Sequence, residues 1–306
     1  MSGHVAVTGA TGFIGRNLIA RLAKTGYKVS ALTRYPRNNT ESIRWITGTL
    51  DDTSALLHLV SGASAVVHCA GRVRGSSLDE FLYTNLDGTA NLVNATLSQN
   101  PPPGFLLVSS LAAREPQLSW YADSKRQGET YLIQNAGDMH WSIFRPTAVY
   151  GPGDRELAPL FRATRIGVLP MTGSRTARFG LLYVDDLIDA IVCWLLAGRP
   201  IEGVYELDDG TPGGYDHETV KKIACKVWGH PVYSLPVPGS FIRMVATVNL
   251  GLARLFHYSP MLTPAKLSEL QHHDWVCNNE GLTNTYGWRP TRKLQDVMVR
   301  AVLPMK

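Results

Sequence analysis

A phenol and a primary amine stand four residues apart in Tyr121-Ala-Asp-Ser-Lys125, a short way past the hydroxyl pair Ser109-Ser110. Positions i and i+4 of a helix share a face, so the Lys125 ammonium can lie beneath the Tyr121 oxygen. A tyrosine ordinarily loses its proton near pH ~10, and a neighbouring cation favours the phenolate. Such a pair is a general acid/base usable near neutral pH. A serine hydroxyl at the end of the preceding strand can hydrogen-bond the same carbonyl or hydroxyl oxygen and polarise it.

The amino end of the chain supplies what this pair would work with. His4-Val-Ala-Val-Thr-Gly-Ala-Thr-Gly-Phe-Ile-Gly15 is an apolar strand running into Gly9-x-x-Gly12-x-x-Gly15 and then a helical pattern carried by Leu18, Ile19 and Leu22. The first glycine permits a tight reversal, the second lets backbone amides approach a pyrophosphate, and the third lets the helix pack on the strand. The helix start directs free N–H groups and the positive dipole end at the phosphates. Gly9, Thr11, Gly12, Phe13, Ile14 and Gly15 are therefore candidate contacts to a dinucleotide. An NAD-selecting carboxylate is expected about 20 residues beyond the turn. The chain offers Thr33-Arg34-Tyr-Pro-Arg37 there instead, with no acid before Glu41. A guanidinium can clamp a ribose 2′-phosphate and stack on adenine, so Arg34 and Arg37 point to NADP(H), with NAD(H) the alternative.

The elements that must position these groups alternate through residue 150. Strands are expected at His4–Val7, Lys28–Thr33, Ile43–Ile46, Ala65–His68, Gly104–Ser109 and Trp141–Arg145, with helices at 13–25, 52–60, 79–98 and 119–136. Alternation of this kind implies an α/β fold, a Rossmann-like doubly wound parallel sheet. Asp185–Leu196 and Gly203–Leu207 read as a return to that sheet. The expected division is 1–154 with 183–207 as the dinucleotide-binding domain, and 155–182 with 208–306 as a smaller substrate lobe over the carboxyl ends of the strands.

The 306 residues carry 30 basic and 25 acidic side chains, and 44% are apolar. That is the composition of a globular protein, with no basic run interleaved with aromatics to suggest nucleic acid. Cys69, Cys193, Cys225 and Cys277 lack metal or redox spacing, and His272-His273-Asp274 cannot converge on one ion in regular structure, so no metal is expected. The glycine turn occupies the place where a signal peptide needs its apolar segment, which implies a cytoplasmic protein. Phe241–Phe256 is apolar but interrupted by Arg243, Asn249 and Arg254. It is not a membrane span, and reads first as a core-facing helix, leaving open a pocket wall or peripheral contact with a membrane surface.

At these residues the chain resembles the extended short-chain dehydrogenase/reductases: the NAD-dependent epimerases/dehydratases, dihydroflavonol reductases and 3β-hydroxysteroid dehydrogenases. Further matches are Val66-Val-His-Cys-Ala-Gly71, Thr84-Asn-Leu-Asp-Gly-Thr-Ala-Asn-Leu92, Arg145-Pro-Thr-Ala-Val-Tyr-Gly-Pro-Gly153, Tyr183-Val-Asp-Asp-Leu187 and Tyr286-Gly-Trp-Arg-Pro290. The resemblance implies a catalytic set of Ser110, with Ser109 as fallback, Tyr121 and Lys125. It implies that Tyr121 and Lys125 also touch the cofactor, that Ala70 and Gly71 run along it, that Pro146 to Val149 line the nicotinamide, and that Asn85 braces the sheet. It also suggests a homodimer through the helices near 79–98 and 119–136.

Two departures matter. Gly48-Thr-Leu50 replaces the Gly-Asp-Leu of many relatives, leaving adenine to Leu50 and backbone groups. Phe179 stands where sugar-nucleotide epimerases carry a diphosphate-gripping arginine, with Arg178 one residue out of register. The expected activity is thus reversible hydride transfer between NADP(H) and a hydroxyl or keto group of a hydrophobic small molecule. The alternatives are a nucleotide-sugar epimerase or dehydratase and a non-catalytic cofactor-binding regulator.

Overall fold

Seven parallel strands form the main sheet in the computed structural model, which describes residues 3–171, 173–198, 201–256 and 258–302. They are β1 (His4–Thr8), β2 (Lys28–Thr33), β3 (Ile43–Thr47), β4 (Ala65–His68), β5 (Gly104–Val108), β6 (Trp141–Pro146) and a late strand, Val204–Leu207. Across the sheet the order is Val204–Leu207, β6, β5, β4, β1, β2, β3. The sheet therefore grows outward in both directions from the β1–β4 pair, where Val5 faces Ala65 and Thr8 faces His68. This reversal of strand order leaves a crevice at the carboxyl ends of β1 and β4, where ligands of open α/β sheets bind.

The inner strands are apolar throughout because both faces are covered. Val5, Ala6, Val7, Val66, Val67, Phe105 and Leu106 are fully buried. One face packs against α1 (Phe13–Lys24) and the helix Val184–Leu196 through Leu18, Leu22, Leu187 and Ile191. The other packs against α2 (Thr53–Val60) and residues of two later helices through Leu56, Leu59, Leu92 and Leu132. A third cluster, around Tyr150, Phe161, Tyr215 and Val297, unites segments that lie after β6 in the chain.

The helix expected over 79–98 is two helices, α3 (Leu78–Leu82) and α4 (Gly88–Leu97), joined by a π-helical turn at Tyr83–Asp87. The turn carries Asn85 inward, where its amide donates to the Ser124 hydroxyl at 2.8 Å and accepts the Arg72 amide at 2.8 Å. A π-turn of this kind is common at functional sites. Ser124 belongs to α5 (Trp120–Asn135), which begins at a Ser119 cap on the Ala122 amide.

The expectation of a core-facing helix at Phe241–Phe256 is corrected. The helix spans Gly239–Phe256, yet buries only Ile242, Ala246 and Ala253 fully. Phe241, Met244, Val248, Leu252, Leu255 and Phe256 face outward. Ile242 and the two alanines pack on the body of the protein, whereas those six large side chains are exposed.

Candidate active site

The turn between β1 and α1 is shaped for close backbone approach. Gly9 has φ +66°, and a Cβ there would lie 2.5 Å from the Ala70 amide nitrogen. At Gly15 a Cβ would overlap the Gly9 carbonyl. The end of β1, the end of β4 and the start of α1 are thus pressed into one cradle that side chains would fill. Gly12 donates to the Gly9 carbonyl at 2.9 Å, and among the described residues no side chain caps the first turn of α1. Uncapped amides at the start of a twelve-residue helix are the groups that bind a pyrophosphate, so these residues fit a dinucleotide. Thr11 and Gly12 are exposed, Phe13 and Ile14 half-buried and Gly15 buried. Beneath the cradle, Thr8 and His68 share a buried hydrogen bond of 2.5 Å, and burial pushes the His68 imidazole down to about 3, so it stays neutral.

Ser110, Tyr121 and Lys125 converge at the carboxyl end of β5. The Ser110 hydroxyl hydrogen-bonds Tyr121 and also accepts the Ala112 amide at 3.2 Å. Lys125 is buried and donates to the Val108 carbonyl at 3.0 Å; a Cβ on Gly71 would stand 3.6 Å from its nitrogen. Burial lowers the Lys125 ammonium to about 8, against the pull of Glu129 and Cys69. Burial also raises the Tyr121 phenol, a rise that the Ser110 hydrogen bond partly offsets and Glu269, Glu156 and Glu129 augment. The phenolate is expected beside Lys125 together with an oxidised nicotinamide; within the protein's own side chains, burial is the larger influence and favours the phenol. Tyr121 rests as a phenol, ready to donate a proton.

Ser109 does not share this geometry. Its hydroxyl donates to buried Glu129 at 2.5 Å, and Glu129 also takes the Arg145 guanidinium at 2.9 Å. Ser109 therefore belongs to a buried ion-pair network below the site, and only Ser110 reaches Tyr121.

Beside Tyr121 lies a pocket lined by Val73, Phe81, Trp120, Pro260, Met261 and Lys266 among others. The Phe81 and Tyr121 rings stand 6.5 Å apart, and the Lys266 nitrogen lies 5.3 Å from the Tyr121 ring centre. Its two cations are already paired, Arg74 with Glu156 at 2.7 Å and Lys266 with Glu269. Sequence reasoning missed Lys266, Met261 and Glu269. They stand more than 130 residues beyond Tyr121 in the chain, and no local pattern marks them.

Residues 5–207 match the model of the NAD dependent epimerase/dehydratase family. The chain belongs to that family. It is 35% identical to a ceramide reductase of Caulobacter vibrioides over 93% of this chain and 90% of the relative. A UDP-glucose 4-epimerase of Vibrio cholerae is 26% identical over 97% of this chain and 93% of that protein. In fold it is similar to a UDP-glucuronic acid 4-epimerase of Bacillus cereus solved with UDP-glucuronic acid and NAD, with TM-score 0.75, 18% identity and 98% of each chain covered. The protein is an NAD(P)-dependent oxidoreductase of this epimerase/dehydratase family, with the Rossmann-like fold of the extended short-chain dehydrogenases/reductases.

The remaining family positions are distributed around the cradle. Ala70 and Gly71 follow β4, where the Ala70 amide lies 3.4 Å from the Thr8 hydroxyl. Arg34 is exposed just past the carboxyl end of β2, whereas Arg37 lays its guanidinium over the Trp45 ring at 5.1 Å. Leu50 is half-buried against α4; a Cβ on Gly88 would lie 2.6 Å from it, and its carbonyl accepts from Asn91 at 3.0 Å. Pro146 ends β6 buried, and Val149 is half-buried in a short strand, Ala148–Tyr150. Phe179 packs near Tyr215 and His217 with ring centres 6.4 and 6.2 Å away. Arg178 is turned outward, 3.8 Å from Asp216.

Proposed function

We propose that this enzyme is a reductase that transfers hydride reversibly between NADP(H) and a keto or hydroxyl group on a hydrophobic small molecule. The observation that carries this reading is the pocket at Tyr121. Val73, Phe81, Trp120, Pro260 and Met261 give it an apolar side beside the polar Ser119 and Thr263, its two cations are paired with Glu156 and Glu269, and Phe179 occupies the family's arginine position. A buried diphosphate without a free cation would cost several kcal/mol. The similarity to a ceramide reductase supports the same direction.

In the proposed reaction the Tyr121 hydroxyl donates its proton to the substrate carbonyl oxygen, and Ser110 holds that oxygen by a second hydrogen bond. A nicotinamide held in the cradle would supply the hydride that the carbonyl carbon takes up. Lys125 keeps a positive charge beneath the phenolate that Tyr121 becomes, and the uncapped start of α1 holds the pyrophosphate. Ala70, Gly71, Pro146 and Val149 are read as the walls of the cofactor groove and Leu50 as an adenine contact. Arg34, with Arg37 behind it, is read as the clamp on the 2′-phosphate. We read residues 1–154 with 183–207 as the cofactor domain and 155–182 with 208–306 as the substrate lobe. We further read the protein as cytoplasmic and as a homodimer through α4 and α5.

The test is a panel of hydrophobic ketones and sugar nucleotides offered with NADPH and with NADH, read by nicotinamide absorbance and by product sugars. Oxidation of NADPH by the ketones, abolished in Tyr121→Phe with cofactor affinity retained, is the expected result. Product sugars from a UDP-sugar with no net change in cofactor would instead establish the epimerase reading. For the cofactor, Arg34→Ala should weaken NADPH about ten- to a hundredfold and NADH hardly at all in calorimetric titration. Equal losses would remove the 2′-phosphate role.

A further inference from the structure

Six of the large side chains on the Gly239–Phe256 helix stand clear of the protein. Leu255 is 69% exposed, Phe256 68%, Met244 and Val248 57% and Phe241 54%, with Leu252 beside them. At 100° per residue these positions fall within an arc of about 120°, one continuous stripe. It is separate from the buried edge formed by Ile242, Ala246 and Ala253. A monomer seldom leaves such a patch without an occupant.

Charge indicates the occupant. From residue 219 to 268 the chain has six Lys and Arg side chains and not one Asp or Glu; Lys221 and Lys266 pair with Glu218 and Glu269 at its edges, and the helix itself carries Arg243 and Arg254 with no acid. Arg243 and Arg254, three turns apart, both lie on the polar face of the helix, about 140–160° around from the middle of the stripe. With no Asp or Glu on the helix to oppose them, they favour an anionic surface as the partner. An apolar stripe on one face with arginines on the polar face is the pattern of a helix that lies in a bilayer interface.

The stripe is also continuous with the mouth of the site. Asn249 on the helix donates to the Leu262 carbonyl at 3.0 Å, which draws exposed Met261 to the rim of the Tyr121 pocket. Arg254 lies 3.4 Å from the Ser76 carbonyl, tying the other end of the helix to the loop that carries Val73 and Gly75.

We propose that this helix docks the enzyme on membranes containing anionic phospholipid, with its apolar stripe in the acyl boundary and the Tyr121 pocket opening beside the lipid surface. The inference goes beyond the reductase reading. It stands on the helix and its charge, and it is read without turnover, so the two can fail separately.

The experiment is flotation of the full chain with phosphatidylcholine vesicles, with and without phosphatidylglycerol. Binding is expected to the phosphatidylglycerol vesicles and to fall with added salt. The triple variant Leu252→Ser, Leu255→Ser, Phe256→Ser and the single variant Arg243→Glu should each lower the partition about tenfold or more. Unchanged thermal unfolding would certify the fold of each, and Arg243→Glu, a surface change, keeps the test open should the triple variant misfold. Absence of vesicle binding by the wild type overturns the proposal. So does a wild-type dimer in sedimentation that the triple variant converts to monomer, because a second copy would then cover the stripe.

Discussion

Lys125 is held where its charge is costly, and that cost has a measurable pH signature. Burial lowers its ammonium from 10.5 to about 8. Between these values the unfolded chain holds a proton that the folded protein has lost, so wild-type stability rises with pH across that window. Lys125→Met removes the titration. Relative to that variant, wild type should gain on the order of 2–3 kcal/mol between pH 8 and 10.5, followed by urea unfolding. A constant difference would mean that the Val108 hydrogen bond alone decides the stability of Lys125. Tyr121 shows the same physics from the other side: burial keeps its proton on, which suits the donor role in reduction and places the reverse oxidation at higher pH.

Helices α4 and α5 meet at a point where one methyl group decides the geometry. A Cβ on Gly128 of α5 would overlap the Asn85 carbonyl in the π-turn. Asn85 in turn holds the Arg72 backbone and Ser124. Gly128→Ala should therefore cost about 1–3 kcal/mol in denaturant unfolding, the usual cost of overpacking. It should also lower turnover with any identified substrate, because Asn85 and the loop after Gly71 shift together. A neutral substitution would show that the π-turn can yield without disturbing the site. The continuous helix expected over 79–98 has the right apolar spacing; what breaks it is the need to turn Asn85 inward beneath Gly71.

At the scale of the whole molecule, two motifs a hundred residues apart prove to be one joint. Asp186, 1% exposed, accepts the Thr291 hydroxyl at 3.0 Å, the Arg292 amide at 3.0 Å and the Arg292 guanidinium at 2.5 Å. The Trp288 indole donates to the Asp186 carbonyl at 3.0 Å. This joint fastens the carboxyl-terminal segment to the helix that covers the main sheet. Asp186→Ala leaves the Thr291 hydroxyl and Arg292 amide without their buried acceptor, while Arg292 keeps Asp189 at 3.0 Å, and should cost about 1–3 kcal/mol. Calorimetry on the variant should register a lower or divided unfolding transition; an unchanged single transition would mean that the apolar cluster around Tyr150 and Val297 holds the segment by itself.

The first six strands, the glycine cradle and the Tyr121–Lys125 pair were legible in the chain because each obeys rules that act within a few residues. Strand period, the steric freedom of Gly9 and the i, i+4 spacing of a helix need no distant partner. Family resemblance put Ser110 first with Ser109 as fallback; what occupies Ser109 was not local, since Glu129 and Arg145 arrive from α5 and β6 to claim it. The identity of the pocket wall also came from folding, since Met261 and Lys266 reach Tyr121 only when the last hundred residues return across the sheet. The apolar residues of Gly239–Phe256 were evident in the sequence. Which of them would be covered was not, because a hydrophobic stripe specifies that a face seeks an apolar partner, and only the tertiary packing determines whether the protein itself provides one.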